Sequence, residues 1–293
     1  AIVSDDKEGS VLFYNFYSSN IANPAAENTR IDLTNTAQGT VFVHLFFVDG
    51  SSCAIADSFV CLSGNQTTTL LASDMDPGVR GYVVAVAVDP NGCPIRWNFL
   101  IGDEYVKLAS GQQANLGAEA FAAISPDPTG CTQATSEATL RFDGVSYNLA
   151  PRVLALDNFA SNLDGNQTLL VINRVGGDLS STAATIGGLF GILFDDLEKP
   201  FSFQFSAGCQ FFGMLSGSFP RTTPRVDTVI SAGRSGWLKF WATADEGLLG
   251  AALVFNRGAG TTSSAYNQGH NLHKLRLTAA AQLTMPVFPP GVP

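Results

Sequence analysis

The feature of this sequence that most constrains the fold is a repeated order of β-strand patterns. Each series begins with an apolar segment, continues with a polar/apolar segment ending in asparagine, and then reaches an aromatic-rich segment ending in aspartate. The matched segments are residues 11–20 and 153–162, 29–35 and 168–173, 41–49 and 188–195, and 81–87 and 236–242. The spacing between segments differs but their order is the same, which predicts an internal duplication of one β-unit.

The segments have the patterns of antiparallel strands. Residues 29–35, 139–143 and 201–205 alternate polar and apolar side chains, which is typical of a strand with one solvated face. Many short strands separated by Asp-Gly and Pro-containing turns predict an all-β fold. We expect two tandem antiparallel β-sandwiches, immunoglobulin-like or jelly-roll-like. Residues 114–124 fit either a short helix or a strand of small residues.

A Pro/Gly-rich break at residues 125–130 lies between the two series and predicts the domain boundary. The expected parts are a first sandwich over residues 1–125, a linker over 126–135 and a second, larger sandwich over 136–293. Insertions around residues 208–223 and 258–268 would account for the larger size. The proline-rich tail, residues 285–293, cannot continue a strand ladder and is expected to be extended.

Charge is sparse on this chain and its balance is acidic. Lys and Arg number 16 against 25 Asp and Glu, for a formal net charge of −9, and charged residues are 14% of the sequence. An average globular protein has roughly 25%. An acidic chain without a Lys/Arg cluster is a poor candidate for binding nucleic acid or an anionic membrane. Much of the surface must therefore be polar but uncharged, or be covered.

Two apolar runs identify strands that must be covered on both faces. Residues 41–48 and 82–88 are almost wholly apolar, whereas a strand in a sandwich normally has one solvated face. The cover could be the other domain, a loop or a neighbouring subunit, and cover within the chain is the simplest for any single strand. No apolar stretch reaches the roughly 18 residues of a membrane-spanning helix. The start at Ala1, without Met, fits a mature end left by cleavage, or a chain trimmed at the same place.

The five cysteines predict disulfides rather than a zinc or redox motif, since none lies in a CxxC pair. Cys53 and Cys61 could bridge a short connection, and Cys93 and Cys131 form the next candidate pair. Cys209 would then be buried and free, or pair between molecules. Paired cysteines require an oxidising compartment, so we expect an extracellular or cell-surface location.

No catalytic motif is found in the sequence. It contains no nucleophile elbow, phosphate loop or dinucleotide fingerprint. Paired acids such as Asp195 and Asp196 are more simply turn residues that cap backbone N–H groups. We therefore expect a protein that is not an enzyme and that has no cofactor.

The histidines do not predict a metal site. His44 lies in an apolar strand and is most simply a hydrogen-bonded core residue. His270 and His273 precede the alternating Leu275 and Leu277, which favours a strand with the two imidazoles on opposite faces. Two ligands are also fewer than the three or four that zinc takes from a protein, so no metal is expected.

Two further patterns concern sugars. Asn65 and Asn166 begin the N-x-[ST] sequons and are candidate glycosylation sites in a secreted protein. Trp97, Trp237 and Trp241 could stack on sugar rings, or at least one of them could pack in the core. Trp237 and Trp241 are four residues apart and are expected on one strand face.

Three segments, residues 140–148, 267–275 and 42–49, resemble uncharacterised secreted bacterial proteins. The resemblance implies secretion and a β-rich fold. No function is attached to such proteins, so it implies no site residue.

Low charge, apolar strands and the lack of a catalytic motif favour a secreted structural protein that self-assembles into a pilus-like filament or a surface layer. Its first strand could be donated to a neighbour's sheet edge, or could lie in its own domain. The predicted assembly residues are Val11, Leu12, Phe13, Phe16 and Tyr17. An adhesin or carbohydrate-binding module is the alternative, and a hydrolase on a sandwich scaffold is a third. The expected partners are copies of this chain or surface glycans, and not nucleic acid.

Overall fold

The computed structural model describes residues 3–260, 266–278 and 281–291 of the chain. Strands account for 55% of residues and helix for 4%, so the prediction of an all-β fold is confirmed. The helices α1, Ala72–Met75, and α2, Val226–Val229, are about one turn each. No helix in the described ranges has the length and hydropathy needed to cross a membrane.

The first half of the chain forms strands where its sequence alternates or runs apolar. They are β1 Val11–Ser18, β2 Asn28–Asn35, β3 Val41–Asp49, β4 Ile55–Leu62, β5 Thr67–Leu71, β6 Arg80–Val88, β7 Leu100–Lys107, β8 Gln113–Gly117 and β9 Glu119–Phe121. Two antiparallel sheets result: sheet 1 has the order β4-β3-β6-β1-β9, and sheet 2 the order β5-β2-β7-β8. Strands β8 and β9 decide the ambiguity over residues 114–124 in favour of strand.

The second half continues with the same kind of element. Its strands are β10 Glu137–Arg141, β11 Ala150–Ala160, β12 Gln167–Val175, β13 Gly177–Asp178, β14 Thr182–Ala183, β15 Gly187–Asp195, β16 Pro200–Ala207, β17 Gln210–Leu215, β18 Ser235–Ala242, β19 Gly247–Phe255, β20 Gln268–Asn271, β21 His273–Thr278 and β22 Gln282–Pro286. Sheet 3 has the order β16-β15-β18-β11-β21, sheet 4 the order β17-β12-β19-β20, and sheet 5 the order β10-β22-β13-β14.

Sheets 3 and 4 repeat the topology of sheets 1 and 2. Strands β11, β15, β16, β18 and β21 take the places of β1, β3, β4, β6 and β9, and sheets 2 and 4 correspond in the same way. A bulge also recurs, because pairing is interrupted between Tyr14 and Tyr17 in β1 and between Leu156 and Phe159 in β11. The order of elements therefore agrees with the repeat in the sequence, while a duplication as its origin stays a prediction.

Each half buries a core between its two sheets, because every second side chain of a strand points to the same side. In the first half Phe47 and Val83 of sheet 1 meet Leu33 of sheet 2. In the second half Phe240 of sheet 3 and Ile172 of sheet 4 share a buried cluster. The opposite faces of sheets 1 and 3 point away from these cores.

Sheet 5 covers the outward face of sheet 1. The ring centroid of Phe142, just after β10, lies 6.3 Å from that of Phe13 and 4.5 Å from that of Phe121. Leu283 and Met285 of β22 belong to the same buried cluster. Cover within the chain therefore explains why β3 and β6 are apolar on both faces.

The tail differs in part from the prediction. Met285 and Pro286 pair with β10, so the segment outside the strand ladder begins at Val287 rather than at Met285. The ring of Phe288 then lies 5.2 Å from the ring of His44. Residues 292–293 of the tail and 261–265 of a predicted insertion lie outside the described residues.

A buried cluster of apolar side chains packs the two halves of the chain against each other. Phe16, in the bulge of β1, stacks on Phe212 of β17 with ring centroids 5.5 Å apart. Leu169 and Ala251 of sheet 4 share its cluster. The predicted domain boundaries stay a prediction, and the packing contacts cross them.

Two disulfides are formed, and one differs from the prediction. Cys93 pairs with Cys131 as expected, whereas Cys53 pairs with Cys209 and Cys61 is free and exposed. The expected Cys53–Cys61 bridge is wrong because β4 runs between these residues. An extended strand rises about 3.3 Å per residue, which separates the two α-carbons by far more than the roughly 7 Å that a disulfide allows. The two disulfides fit a non-reducing environment.

Candidate functional site

The outward face of sheet 3 is rich in aromatic side chains, and no sheet formed by the described residues covers it. Trp241 pairs with Phe190, Lys239 with Ile192, and Trp237 with Phe194 across β18 and β15. On the other side of β18, Val153 of β11 pairs with Trp241. We call this surface the open face; its residues are Val153, Phe190, Ile192, Phe194, Trp237, Lys239 and Trp241, all of them half-buried.

The rings of the open face support one another. Trp237 stacks on Phe194 with centroids 4.4 Å apart and an interplanar angle of 8°. Trp241 and Phe190 lie 5.1 Å apart at 49°. The ammonium of Lys239 lies 5.5 Å from the Phe194 ring and 5.9 Å from the Trp237 ring. Cation–π attraction at such distances is modest at an exposed site, so Lys239 keeps a charge for a ligand.

A shallow depression of about 380 Å³ lies at one end of the open face. Its lining consists of Arg152, Val153, Ile192, Lys239, Trp241 and Arg276. Three of these six residues are cationic and none is acidic. Arg152 forms an ion pair with Asp245 at 3.1 Å; in the described part of the chain, Lys239 and Arg276 form none. We call this region the cationic depression.

Strand alternation explains how the sequence builds this face. In β18 every second residue points into the core, as Leu238 and Phe240 do, so Trp237, Lys239 and Trp241 point outward. The prediction that the two tryptophans share a face is confirmed. The alternation of residues 187–195 carried the same signal for the two phenylalanines of β15, which sequence reasoning missed.

Trp97 belongs to a different environment. Its indole Nε1 donates a hydrogen bond of 3.1 Å to Asn35, and its ring packs against the core of the first half. Trp97 is therefore the tryptophan with a packing role.

His270 and His273 lie beside the same carboxylate, which the sequence did not predict. The chain passes from β20 in sheet 4 to β21 in sheet 3 at the buried Leu272, so the expectation of one continuous strand is wrong. Both imidazoles face Asp157, at 3.7 Å from His270 Nε2 and 3.4 Å from His273 Nε2. The described residues nevertheless contain no group of three side chains arranged to hold a metal ion.

His44 is a core residue, as predicted. Its Nε2 lies 2.8 Å from Asp57 Oδ2, and its ring stacks on Phe59 at 3.9 Å. Burial lowers the pKa of the imidazole, and the hydrogen bond with Asp57 opposes this shift. His44 is therefore one of the covered residues of sheet 1.

A polar cleft of about 400 Å³ lies at the end of sheet 3, next to Asp164, Asp196, Arg234 and Tyr266. Asp164 Oδ2 accepts a hydrogen bond of 2.8 Å from the backbone of Gly233, and Arg234 binds Asp196. Each acid thus has a structural partner within the fold.

The preceding acid, Asp195, caps its turn. Its Oδ1 accepts backbone hydrogen bonds from Leu197 at 3.0 Å and Lys199 at 2.9 Å. These bonds, with that from Lys199 first, hold the pKa of Asp195 below its usual range. The capping role predicted for this residue is confirmed.

The predicted assembly residues lie inside the fold. Val11, Leu12, Phe13, Phe16 and Tyr17 are all buried, because β1 is flanked in sheet 1 by β6 on one side and β9 on the other. Their burial needs no second subunit, so donation of this strand stays a prediction without support from its placement.

The two glycosylation candidates differ in exposure. Asn65 lies in an exposed turn with a φ of 57°, and its use stays a prediction. Asn166 is buried; its amide donates to the carbonyl of Ser161 at 3.2 Å and its Oδ1 accepts from Asn256 at 3.0 Å. The expectation of a surface acceptor at Asn166 is therefore wrong for the folded chain.

No protein-family model matches the sequence, and no curated protein matches it. A crystal structure of Thermotoga maritima 1070 matches with a TM-score of 0.29 and 13% identity, over 38% of this chain and 92% of that chain. An oxalate decarboxylase of Bacillus subtilis matches with a TM-score of 0.20 and 8% identity, over 85% and 66%. Vicilin from Capsicum annuum matches at 0.18 and 8%, over 83% and 72%. Scores this low carry no argument about fold or function.

Proposed function

We propose that this is an extracellular carbohydrate-binding protein that holds a glycan against the open face of sheet 3. The observation that carries the proposal is the pair of half-exposed tryptophans, Trp237 and Trp241, each backed by a phenylalanine of β15. Such rigid rings give a ligand a large contact area at small entropic cost, and the axial C–H groups of a sugar ring provide an apolar partner.

The open face also has the mixture of groups that ligand sites use. Ligand sites combine apolar and aromatic walls with a few polar groups that orient the ligand. Lys239 stands between the two tryptophans on the same strand, and Arg152 and Arg276 lie at the rim. A two-sided sandwich holds this face rigid, because the opposite faces of the same strands are core.

Affinity electrophoresis in a panel of neutral and acidic polysaccharides tests the proposal. We expect Trp237→Ala to weaken binding by about tenfold, since stacking of a ring on an aromatic side chain contributes on the order of 1 kcal/mol or more. Tyr105→Ala is the matched control, because Tyr105 is also an exposed strand aromatic beneath a cation, Arg30, but belongs to sheet 2. If a polysaccharide retards wild type and Trp237→Ala equally, glycan binding at the open face is contradicted.

Self-assembly is a second proposal, and the cover on sheet 1 favours it. In the first half the corresponding face is buried under another β-layer, so a second copy could cover the open face. An isologous contact would bring Lys239 and Arg276 toward their symmetry mates, so the contact would have to be heterologous, which leads to filaments when it does not close. Sedimentation and electron microscopy test this; a strictly monomeric particle at high concentration would overturn it.

A further inference from the structure

The cationic depression differs in charge from the rest of the molecule. The chain carries 16 Lys and Arg against 25 Asp and Glu, yet Arg152, Lys239 and Arg276 converge around a depression whose lining holds no carboxylate. A local cluster of one sign raises the concentration of opposite charge and orients it at the surface.

The cations are held where an anion could reach them. The Lys239 ammonium lies 5.5 Å from the Phe194 ring and 5.9 Å from the Trp237 ring, and the residue is half-buried on the open face. Arg276 is exposed on β21 beside Val153. Arg30 and Arg174, two strand arginines elsewhere, each lie within 3.1 Å of a carboxylate, and Arg152 is paired in the same way with Asp245. Among the described residues, Lys239 and Arg276 have no such partner.

The floor of the depression favours a flat organic anion over a bare ion. Trp241 supplies a ring, and Val153 and Ile192 supply aliphatic surface. Its volume of about 380 Å³ lies near the lower end of ligand sites, which span roughly 300–1,000 Å³. One or two sugar rings fit such a space, with the ring on Trp241 and an acidic substituent at the cations.

We infer that the cationic depression binds an acidic sugar unit, carrying a carboxylate or a sulfate, of an extracellular polysaccharide. This inference rests on the proposed function and names its ligand class. Lys239 and Arg276 pair with the acidic group, since charge-assisted hydrogen bonds are about twice as strong as neutral ones. Trp241 stacks on the ring that bears this group.

Isothermal titration calorimetry tests the inference with polygalacturonate, alginate and chondroitin sulfate. Fully methyl-esterified polygalacturonate keeps the backbone and removes the charge, and an oligothymidylate keeps negative charge and flat rings but is no sugar. We expect tighter binding of at least one acidic polysaccharide than of the ester, by about tenfold or more. Raising the salt from about 50 mM to about 200 mM should weaken the acidic ligand alone.

Variants separate the two cations from the rings. Lys239→Met keeps the length of the side chain, and Arg276→Gln keeps a polar side chain; each should lower affinity for the acidic ligand at least about fivefold and leave binding of the ester unchanged. Lys107→Met is the matched control, since Lys107 is a strand lysine of sheet 2, away from the open face.

The outcomes distinguish the inference from the function beneath it. If the ester and the acidic polysaccharide bind equally well, and only Trp237→Ala weakens binding, the inference of an acidic ligand is wrong while the proposed glycan binding stands. An oligothymidylate bound as tightly as the best acidic glycan would also overturn it. Binding of no polysaccharide, neutral or acidic, would overturn the inference together with the proposed function.

Discussion

The outward faces of sheets 1 and 3 occupy the same place in the two halves, but one is buried and the other is partly exposed to solvent. Three rows of sheet 1, read across β3 and β6, are His44 with Val86, Phe46 with Val84, and Val48 with Tyr82. The same rows of sheet 3, across β15 and β18, are Phe190 with Trp241, Ile192 with Lys239, and Phe194 with Trp237. The first set is buried beneath sheet 5 and the second is half-exposed.

The difference teaches how one scaffold supports a core in one place and a surface in another. Where sheet 1 has Val84, sheet 3 has Lys239, and where β9 offers Phe121, β21 offers Arg276. A charge is tolerated only where water or a partner can reach it. The covered face therefore carries stability, and the open face is free to carry recognition.

Exchanging the residue types at the middle row of the two faces, Val84 in sheet 1 and Lys239 in sheet 3, should give the largest difference in stability between them. Val84→Lys places an unpaired ammonium beneath sheet 5, at a cost on the order of 5 kcal/mol, comparable to the whole stability of a domain. Lys239→Val at the corresponding position of the open face should change the free energy of unfolding by roughly 0.5 kcal/mol or less. Urea unfolding followed by fluorescence measures both; equal losses would show that the two faces are not differently covered.

Removal of the cover is expected to have the next largest effect. Phe142→Ala deletes the ring that packs on Phe13 and Phe121 and should cost about 3 kcal/mol. Phe194→Ala, on the open face, removes a half-buried ring and should cost about 1 kcal/mol. Thermal unfolding of both variants compares them, and the prediction fails if the open-face variant is the less stable one.

A pH effect should distinguish Glu119 from His273, which hold corresponding positions opposite Phe13 and Ala155. Burial raises the pKa of Glu119 to about 7, although the Lys274 ammonium opposes the shift. Because the folded pKa lies above the unfolded one, this group's stabilisation is full below about pH 4.5 and is lost as the pH rises through 7.

Per pH unit, the change in unfolding free energy is the smallest of the three expected effects. One proton gives a slope of at most about 1.4 kcal/mol per pH unit. Glu119→Gln should remove this decline between pH 5 and pH 7, and His273→Gln, at an exposed position, should leave it. Unfolding free energies of wild type and both variants across this range provide the check, and an unchanged slope in Glu119→Gln would contradict the buried carboxyl.

Local patterns in the sequence predicted much of this. Alternation and turns predicted strands, and the wholly apolar β3 and β6 predicted a cover on both faces. The pairing of Cys93 with Cys131 and the shared face of Trp237 and Trp241 were also predicted. Apart from the disulfide, which joins residues 38 apart, these features depend on neighbours within a strand or on a residue's own polarity.

Other features depend on distances that the sequence does not contain. Cys209 comes beside Cys53 across the halves, and a crossing between two sheets at Leu272 brings His270 and His273 to Asp157. The burial of Asn166 depends on Ser161 and Asn256 together. Each arises from the order of strands in a sheet, which is set by the packing of the whole chain.

The sequence by itself determined the all-β class, the repeated order of elements and the need for cover on β3 and β6, because strand periodicity and hydrophobic burial act locally. Tertiary structure alone decided which face received the cover. Sheet 5 is assembled from β10, β13, β14 and β22, which are far apart along the chain, and it lies on sheet 1. The same face of sheet 3 is left open because no described strand packs over it, and that is where the tryptophans and the unpaired cations stand.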